Sequence, residues 1–209
     1  MKVTALIIVC CSLGANAWSF WRSPWVKPRE GVTDECLQMA ARGDCGFYQC
    51  LERRFQCGSD GYALKIGSHF CNKSDEIHSR FTAQGQRYME GSKACITNAL
   101  LPVYKQNSIR CDDVMSEGAR AMRTCSYEDF AGMDACTFIR GNMDAYNDML
   151  GTEEISRLIS MGSPRLLARI FIDGARCGAT IATERFQSVA GSLNDFMGGV
   201  RDSITSWWS

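Results

Sequence analysis

The segment CGFYQCLERRFQC, residues 45–57, limits the kind of fold this chain can adopt, because it places three cysteines within thirteen positions. Such closely spaced cysteines could bind a metal, supply a catalytic thiol or form disulfide bonds. A structural zinc site favours C-x-x-C pairs or nearby histidines. The chain contains no C-x-x-C, and its two histidines are His69 and His78. The segment therefore predicts disulfide bonds.

The N-terminus has the three parts of a secretory signal peptide. Lys2 supplies a positive charge, residues 3–13 form an apolar run, and Ala15-Asn16-Ala17 is a small-x-small cleavage site. We predict that cleavage between Ala17 and Trp18 removes residues 1–17. The apolar run has about half of the roughly 20 residues that span a bilayer, so neither a membrane anchor nor a transmembrane segment is expected. The sequence thus predicts a secreted, extracellular protein.

Cleavage at this site removes Cys10 and Cys11 and leaves ten of the twelve cysteines. An even number of cysteines in an oxidising compartment is typical of a disulfide framework. The ten are Cys36, Cys45, Cys50, Cys57, Cys71, Cys95, Cys111, Cys125, Cys136 and Cys177. Ten cysteines allow on the order of a thousand pairings, so their spacing leaves the connectivity open.

Charge and length indicate a single domain without a nucleic-acid partner. The 23 basic and 23 acidic residues cancel, and no block of Lys or Arg stands out. This argues against nucleic acid or an anionic membrane as the main partner. A mature chain of about 190 residues can bury one core of its own. We divide it into a tryptophan-rich tail over residues 18–32, a helical domain over 33–178 and a C-terminal amphipathic helix over 179–209.

Apolar residues recur at helical spacing in most of the chain, which predicts an all-α, disulfide-cross-linked bundle. Thr33 is a predicted cap of a helix that ends near Gly43. Ser74-Asp75-Glu76 is predicted to begin a longer helix that ends by Pro102 at the latest. Within it, one face would hold Ile77, Phe81, Gln84 and Tyr88.

Four further helix signals follow along the chain. Residues 109–125 are predicted to form one helix, with Met115, Met122 and Cys125 on one side. The sequence Ser126-Tyr127-Glu128-Asp129 is similar to a capping box and predicts another helix start. Thr152-Glu153-Glu154 and Ser163-Pro164 predict two more. The interpretation of all these apolar stripes is that they form the core.

Two segments carry a resemblance to a known family. The order Cys-Gly-x-x-x-Cys-Leu-Glu at residues 45–52, followed by Cys57 and Asp60-Gly61, resembles the N-terminal cysteine cluster of the stanniocalcins. The helical segment that begins with Gln84-Gly85-Gln86 is also similar to that family. This second match continues through Glu90, Ser92, Lys93, Cys95, Ile96 and Asn98. With the later cysteines in the family's order, the resemblance covers residues 35–177.

The resemblance implies a disulfide pattern and a function. The implied pairs are Cys36–Cys50, Cys45–Cys71, Cys57–Cys111, Cys95–Cys125 and Cys136–Cys177. Stanniocalcins are secreted glycoprotein hormones, usually dimers, that are linked to calcium and phosphate homeostasis. Vertebrate members inhibit pappalysin-type metalloproteinases. The resemblance therefore implies an extracellular protein partner, either a receptor or a metalloproteinase.

The chain departs from the family pattern at two places. The family usually has an unpaired cysteine after the last pair, which links two subunits, but no cysteine follows Cys177 in this sequence. The family's glycosylation sequon in the first cysteine cluster is replaced by residues 52–55. Another sequon, Asn72-Lys73-Ser74, predicts glycosylation of Asn72 in a loop after Cys71.

The sequence gives no sign of an enzyme or of a bound cofactor. It contains no Gly-x-Ser-x-Gly motif, and neither His69 nor His78 precedes an aspartate. We predict no catalytic residues and interpret His69 as a packed side chain. The chain has no EF-hand loop, so Asp112-Asp113 and Glu153-Glu154 are interpreted as helix-start charges and no metal ligand is predicted. The resemblance leaves room for weak calcium binding without naming its ligands.

Two alternatives to a hormone remain open. One is a secreted helical lipid-binding or effector protein, which would need an unfilled apolar cavity that a sequence does not reveal. The less favoured alternative is a secreted hydrolase.

The last segment predicts an amphipathic helix of about six turns, because apolar residues recur at steps of three and four. These residues are Phe186, Val189, Leu193, Phe196, Val200, Ile204 and Trp207, and we call them the C-terminal stripe. Gly191, Gly198 and Gly199 weaken the helix, so it needs a partner surface. That surface is either the protein's own bundle or a second subunit in a non-covalent homodimer.

Overall fold

The computed structural model describes residues 23–126, 128–160 and Cys177. Within these ranges the chain is mostly helical, which confirms the all-α class. The helices are α1 (Asp34–Arg42), α2 (Gly46–Phe55), α3 (His69–Glu76), α4 (Ala83–Ala99), α5 (Leu101–Tyr104), α6 (Cys111–Cys125), α7 (Ala135–Gly141), α8 (Met143–Met149) and α9 (Thr152–Ser160). A π-helical turn covers Ala63–Ser68, and a 3-10 turn covers His78–Arg80. None of the helices in these ranges is long and apolar enough to cross a membrane.

Helix α1 begins and ends at the predicted residues. The Thr33 side chain accepts a hydrogen bond from the backbone N–H of Cys36, and Gly43 ends the helix with a left-handed φ of 71°. Gly43 also lies against α4, where an added Cβ would be 2.6 Å from the backbone nitrogen of Ala94. Glycine is therefore required here both for its conformation and for the close approach of two helices.

The cysteines of residues 45–57 lie at the start, inside and just after α2. They join α2 to three different parts of the chain. Cys50 is bonded to Cys36 in α1, Cys45 to Cys71 in α3, and Cys57 to Cys111 at the start of α6. Cys95–Cys125 then joins α4 to α6, and Cys136–Cys177 joins α7 to the chain after α9. These are the five pairs that the family resemblance implies.

The prediction that Ser74-Asp75-Glu76 begins the long helix is wrong. These residues end α3, where the buried Ser74 hydroxyl donates a hydrogen bond to the carbonyl oxygen of Cys71 at 2.6 Å. The long helix α4 begins after Thr82, whose side chain accepts from the backbone N–H of Gly85 at 3.1 Å. It ends at Ala99, before Pro102, as predicted.

Two other helix starts are also corrected. Ile109 and Arg110 form β2 and pair with Trp25–Val26 (β1) in an antiparallel two-stranded sheet, so α6 begins only at Cys111. Ser126 ends α6, and its hydroxyl donates back to the carbonyl oxygen of Arg123. Asp134 caps α7 in place of the predicted capping box.

Helix α9 begins at Thr152, as predicted. The helix start at Ser163-Pro164 lies outside the described residues, as do the signal peptide and the C-terminal stripe.

Two separate clusters of buried residues form the core. The first core cluster comprises Cys36, Ala40, Cys45, Phe47, Tyr48, Cys50, Leu51, Phe55, Tyr62, Ala63, Ile66, Cys71, Leu100, Val103, Tyr104, Ile109, Val114 and Leu158. The second core cluster comprises Ile77, Phe81, Tyr88, Met133, Phe138, Ile139, Ala145 and Cys177. In the second, the rings of Tyr88 and Phe138 stack with their centroids 4.5 Å apart. The helical face predicted from Ile77, Phe81 and Tyr88 thus supplies buried residues, although a break in the helix divides it.

Candidate functional site

An apolar cavity of about 590 Å³ has walls from both core clusters. Tyr62 and Ile66 line it from the first core cluster, and Phe138 and Ile139 line it from the second. A cavity of this size falls in the range that binding sites occupy, so it is the main candidate site in the described part of the chain.

Three methionines give the cavity an adaptable surface. Met89 and Met149 pack against the second core cluster, and Met122 packs against the first. All three line the cavity and are only partly buried. Methionine side chains are unbranched and flexible, so they can fit apolar groups of different shapes.

Three tyrosines in the wall, Tyr48, Tyr62 and Tyr88, stay neutral at physiological pH. Burial raises the pKa of Tyr48 and Tyr62, and each is affected to a lesser extent by the hydrogen bond between them. Burial also raises the pKa of Tyr88 to about 12, with a smaller contribution from the negative charges of Asp134 and Asp129. The wall therefore presents neutral aromatic rings, which suit an apolar occupant better than a general base.

Charged groups lie around this apolar wall. Lys93, Arg123 and Asp134 also line the cavity. Lys93 forms an ion pair with Asp75. The backbone N–H of Thr137 donates to Asp134 and is the main reason why the pKa of Asp134 is below its ordinary value. The site thus combines an apolar interior with ionised groups, as amphipathic occupants require.

Both histidines contact carboxylates. The Nε2 atom of His69 lies 3.5 Å from Oε1 of Glu154, and the His69 ring packs edge-on against Phe70. The Nε2 atom of His78 lies 3.3 Å from Oε1 of Glu90. These contacts join elements of the fold: His69 in α3 to Glu154 in α9, and His78 in the 3-10 turn to Glu90 in α4. All ten cysteines of residues 36–177 are disulfide-bonded, so none of them supplies a thiol nucleophile.

One group of potential metal-ligand atoms is found among the described residues. It consists of the sulfurs of Cys45 and Cys71 and the carboxylate of Asp75, whose ligand atoms all lie within 4.8 Å of one another. Metals bind the thiolate form of cysteine, and these two sulfurs are bonded to each other. Asp75 is already paired with Lys93. The chemistry of this donor set does not fit a metal ion.

The acidic pairs singled out in the sequence lie at helix starts. Asp112 and Asp113 are in the first turn of α6, where Asp112 also accepts a hydrogen bond from the backbone N–H of Ser23 at 2.7 Å. Glu153 and Glu154 are in the first turn of α9. A hydrogen bond from Arg157, followed by its charge, lowers the pKa of Glu153. Negative charges at these positions complement the helix dipole.

The sequon lies on α3 and not in a loop, so that part of the prediction is wrong. Asn72 is exposed, while Ser74 is buried. The Nδ2 atom of Asn72 donates to the carbonyl oxygen of Ser68 at 2.8 Å. Glycosylation of Asn72 stays a prediction.

The cavity was missed by reasoning from the sequence, although Tyr88 and Met122, which line it, were on stripes interpreted as core. Its lining residues lie far apart in the chain, between Tyr48 and Cys177. The methionine spacing gave the only local signal, and it does not distinguish a filled core from a cavity wall.

Comparison with known proteins identifies the family. The family model described as "Stanniocalcin family" matches residues 27–163, which is more than half of the chain. No match to the chain was found among curated proteins or among solved structures. The matched range contains all the described helices and four of the five disulfide bonds. The chain belongs to the stanniocalcin family, a family of secreted hormones.

Proposed function

We propose that this protein acts in the extracellular space by binding a protein partner, and that this binding serves calcium and phosphate homeostasis. The observation that carries the proposal is the family match over residues 27–163. The candidate partners are a cell-surface receptor and a pappalysin-type metalloproteinase, which the protein would inhibit.

The disulfide framework supports a binding role on physical grounds. Five bonds join the helices of one domain, and three of them converge on α2 and the residues beside it. A rigid surface loses little conformational entropy when it binds, which increases affinity. The same framework suits the oxidising extracellular environment. Secretion would follow cleavage between Ala17 and Trp18, and a glycan on Asn72 would project from the exposed side of α3.

The direct test is inhibition of a pappalysin-type metalloproteinase by the purified, secreted full-length protein. We expect inhibition that is saturable and is lost when the protein is reduced and unfolded. A parallel binding assay on cells that respond to the hormone tests the receptor. Failure in both assays, with protein that retains its disulfide bonds, would overturn the proposal.

A double substitution separates binding from catalysis. His69→Gln together with His78→Gln should leave the inhibitory or signalling activity unchanged, because the proposal assigns neither histidine a chemical step. Circular dichroism verifies that the variant is folded. Loss of activity in a folded double variant would favour the hydrolase.

The cavity favours a second candidate function, that of a lipid-binding protein. It is of suitable size and has an apolar wall. Organic extraction of the purified secreted protein, followed by mass spectrometry, tests this function. A lipid present at about one molecule per chain would support it, and extracts without lipid would count against it.

A further inference from the structure

We propose that Asn72 accepts a glycan only before α3 folds, and that closure of the Cys45–Cys71 disulfide bond ends this period. The inference rests on the proposed secretion of the chain and on Asn72 as the glycan acceptor. Asn72-Lys73-Ser74 is the only N-x-S/T sequon in the sequence, so the number of attached glycans reports on this site alone. The fraction of glycosylated chains is then set by a competition between glycosylation and disulfide formation.

The first reason is the geometry of the sequon in the folded helix. An oligosaccharyltransferase recognises a sequon through the amide of the asparagine and the hydroxyl of the serine or threonine, and it contacts both at once. In an α-helix, residues two positions apart point about 200° away from each other, so they do not share a face. Asn72 is exposed on α3, whereas Ser74 is only 2% exposed. The folded helix therefore cannot present both groups to one enzyme.

The second reason is that both groups already have hydrogen-bond partners in the fold. The Ser74 hydroxyl donates to the carbonyl oxygen of Cys71 at 2.6 Å. The Nδ2 atom of Asn72 donates to the carbonyl oxygen of Ser68 at 2.8 Å and to its Oγ at 3.1 Å. Glycosyl transfer breaks the bond between the sugar and the diphosphate of its lipid carrier, joins the sugar C1 to Nδ2, and removes one proton from Nδ2. The nitrogen has to leave Ser68 before it can react in this way.

The third reason is the order of these residues in the chain. Cys71 directly precedes Asn72 and is bonded to Cys45, 26 positions earlier at the start of α2. A secreted chain is made from its N-terminus, so both cysteines reach the oxidising compartment before the sequon is complete. Thiol–disulfide exchange with an oxidised oxidoreductase then converts the two thiols into this bond and reduces the enzyme's disulfide to two thiols. The ion pair between Asp75 and Lys93 has to wait for α4, so the disulfide is the earliest tie on the sequon.

The direct test compares folded and unfolded protein as glycan acceptors. The full chain, prepared without a glycan, is incubated with an oligosaccharyltransferase and a lipid-linked oligosaccharide, either with its disulfide bonds intact or after reduction and alkylation. Mass spectrometry measures the attached glycan. We expect transfer to the reduced chain and none to the folded protein. Asn72→Gln should abolish the transfer to the reduced chain.

Expression in secretory cells tests the competition. Cys45→Ser removes the bond and leaves the residues on both sides of Asn72 unchanged. Cys95→Ser with Cys125→Ser is the matched control, because this bond joins α4 to α6 and both of its cysteines follow the sequon. We expect partial glycosylation of the wild type, a larger glycosylated fraction for Cys45→Ser, and no increase for the control. An endoglycosidase-sensitive gel shift measures this fraction in cells and medium together, so that a secretion defect does not hide it.

Four results would overturn the proposal. Transfer to the folded, disulfide-bonded protein would show that α3 does not protect the sequon, and failure of the reduced chain to accept a glycan would show that the sequon is no acceptor. Complete glycosylation of the wild type would exclude a competition. An equal increase in both cysteine variants would mean that slower folding in general, and not this bond, decides the outcome. None of these results bears on the inhibition assay, so this inference and the proposed function can fail separately.

Discussion

Gly118 lies inside α6 against the ring of Tyr62, and a Cβ at this position would overlap the ring atoms. Tyr62 is itself buried in the first core cluster, so the ring could move away from an added Cβ only by giving up its packing there. We expect Gly118→Ala to lower the free energy of unfolding by roughly 1–3 kcal/mol, the usual cost of overpacking. Denaturant unfolding measures the change.

Gly141 provides the matched control for this substitution. It is the last residue of α7, and no atom lies within 4 Å of the place where its Cβ would be. Gly141→Ala should leave stability unchanged or raise it by up to about 1 kcal/mol, because alanine favours helix. A similar loss at both positions would contradict the steric explanation.

Asp134 links the cavity rim to the pH dependence of stability. Its carboxylate caps α7, and hydrogen bonds from Thr137 lower its pKa in the folded protein. Because the pKa is lowered on folding, the ionised carboxylate stabilises the fold above its ordinary pKa. This contribution is lost as the pH falls through the folded-state pKa, below about pH 4.

The substitution Asp134→Ala should therefore destabilise the protein at pH 7, and the difference from wild type should decrease below about pH 4. Asp134→Asn keeps a capping side chain without the charge, so its stability at pH 7 should lie between those of wild type and Asp134→Ala. Thermal unfolding from pH 7 to pH 2 measures all three proteins. A difference between wild type and Asp134→Ala that is independent of pH would show that the charge contributes nothing.

At the scale of elements, Thr97 joins α4 to α1. Its fully buried hydroxyl lies 2.6 Å from the carbonyl oxygen of Ala40 and donates a hydrogen bond to it. Thr97→Val keeps the shape of the side chain and removes this bond. We expect a loss of about 1 kcal/mol in the free energy of unfolding and faster hydrogen exchange in α1.

Thr124 is a suitable control because it is exposed in α6. Thr124→Val should change stability by less than about 0.5 kcal/mol. If both variants lose the same amount, the effect belongs to the residue type and not to the contact between the helices.

Helix boundaries were predictable where their signals are local. Thr33 and Gly43 cap α1 through hydrogen bonds to residues within one turn, so the local sequence is sufficient to predict both ends of this helix. Ser74-Asp75-Glu76 has the composition of a helix start, but the hydroxyl of Ser74 bonds back to Cys71 and the residues end α3. The start of α4 at Thr82 depends in part on Asn142, whose side chain accepts from the Thr82 N–H across 60 positions. No local pattern contains that contact.

At the scale of the whole molecule, too, the sequence predicts the features that depend on local pattern or composition and misses those that depend on distant contacts. The number of cysteines and their compartment predict a disulfide framework, but spacing leaves on the order of a thousand pairings open. The particular pairs were expected only through the family resemblance. The cavity depends on how two core clusters lie beside each other, as Ile66 and Ile139 illustrate, and the sequence contains no direct signal for that arrangement.

The disulfide bond between Cys57 and Cys111 spans 54 positions, the largest separation among the five. The loop-entropy model gives about 4 kcal/mol for a loop of this length and about 3 kcal/mol for the 14 positions between Cys36 and Cys50. The contribution of side-chain packing should be larger for the shorter loop, because Cys36 and Cys50 are buried, whereas Cys57 and Cys111 are only partly buried. Stability alone therefore does not separate the two effects.

The slope of denaturant unfolding, the m-value, separates them because it reports the surface exposed on unfolding. Removing the longer loop expands the denatured state more, whereas a packing defect in the folded state shifts the midpoint and leaves the slope unchanged. We expect Cys57→Ala with Cys111→Ala to raise the m-value more than Cys36→Ala with Cys50→Ala. Equal m-values in the two variants would mean that these bonds act on the folded state, and that the framework stabilises the protein by packing rather than by restricting the unfolded chain.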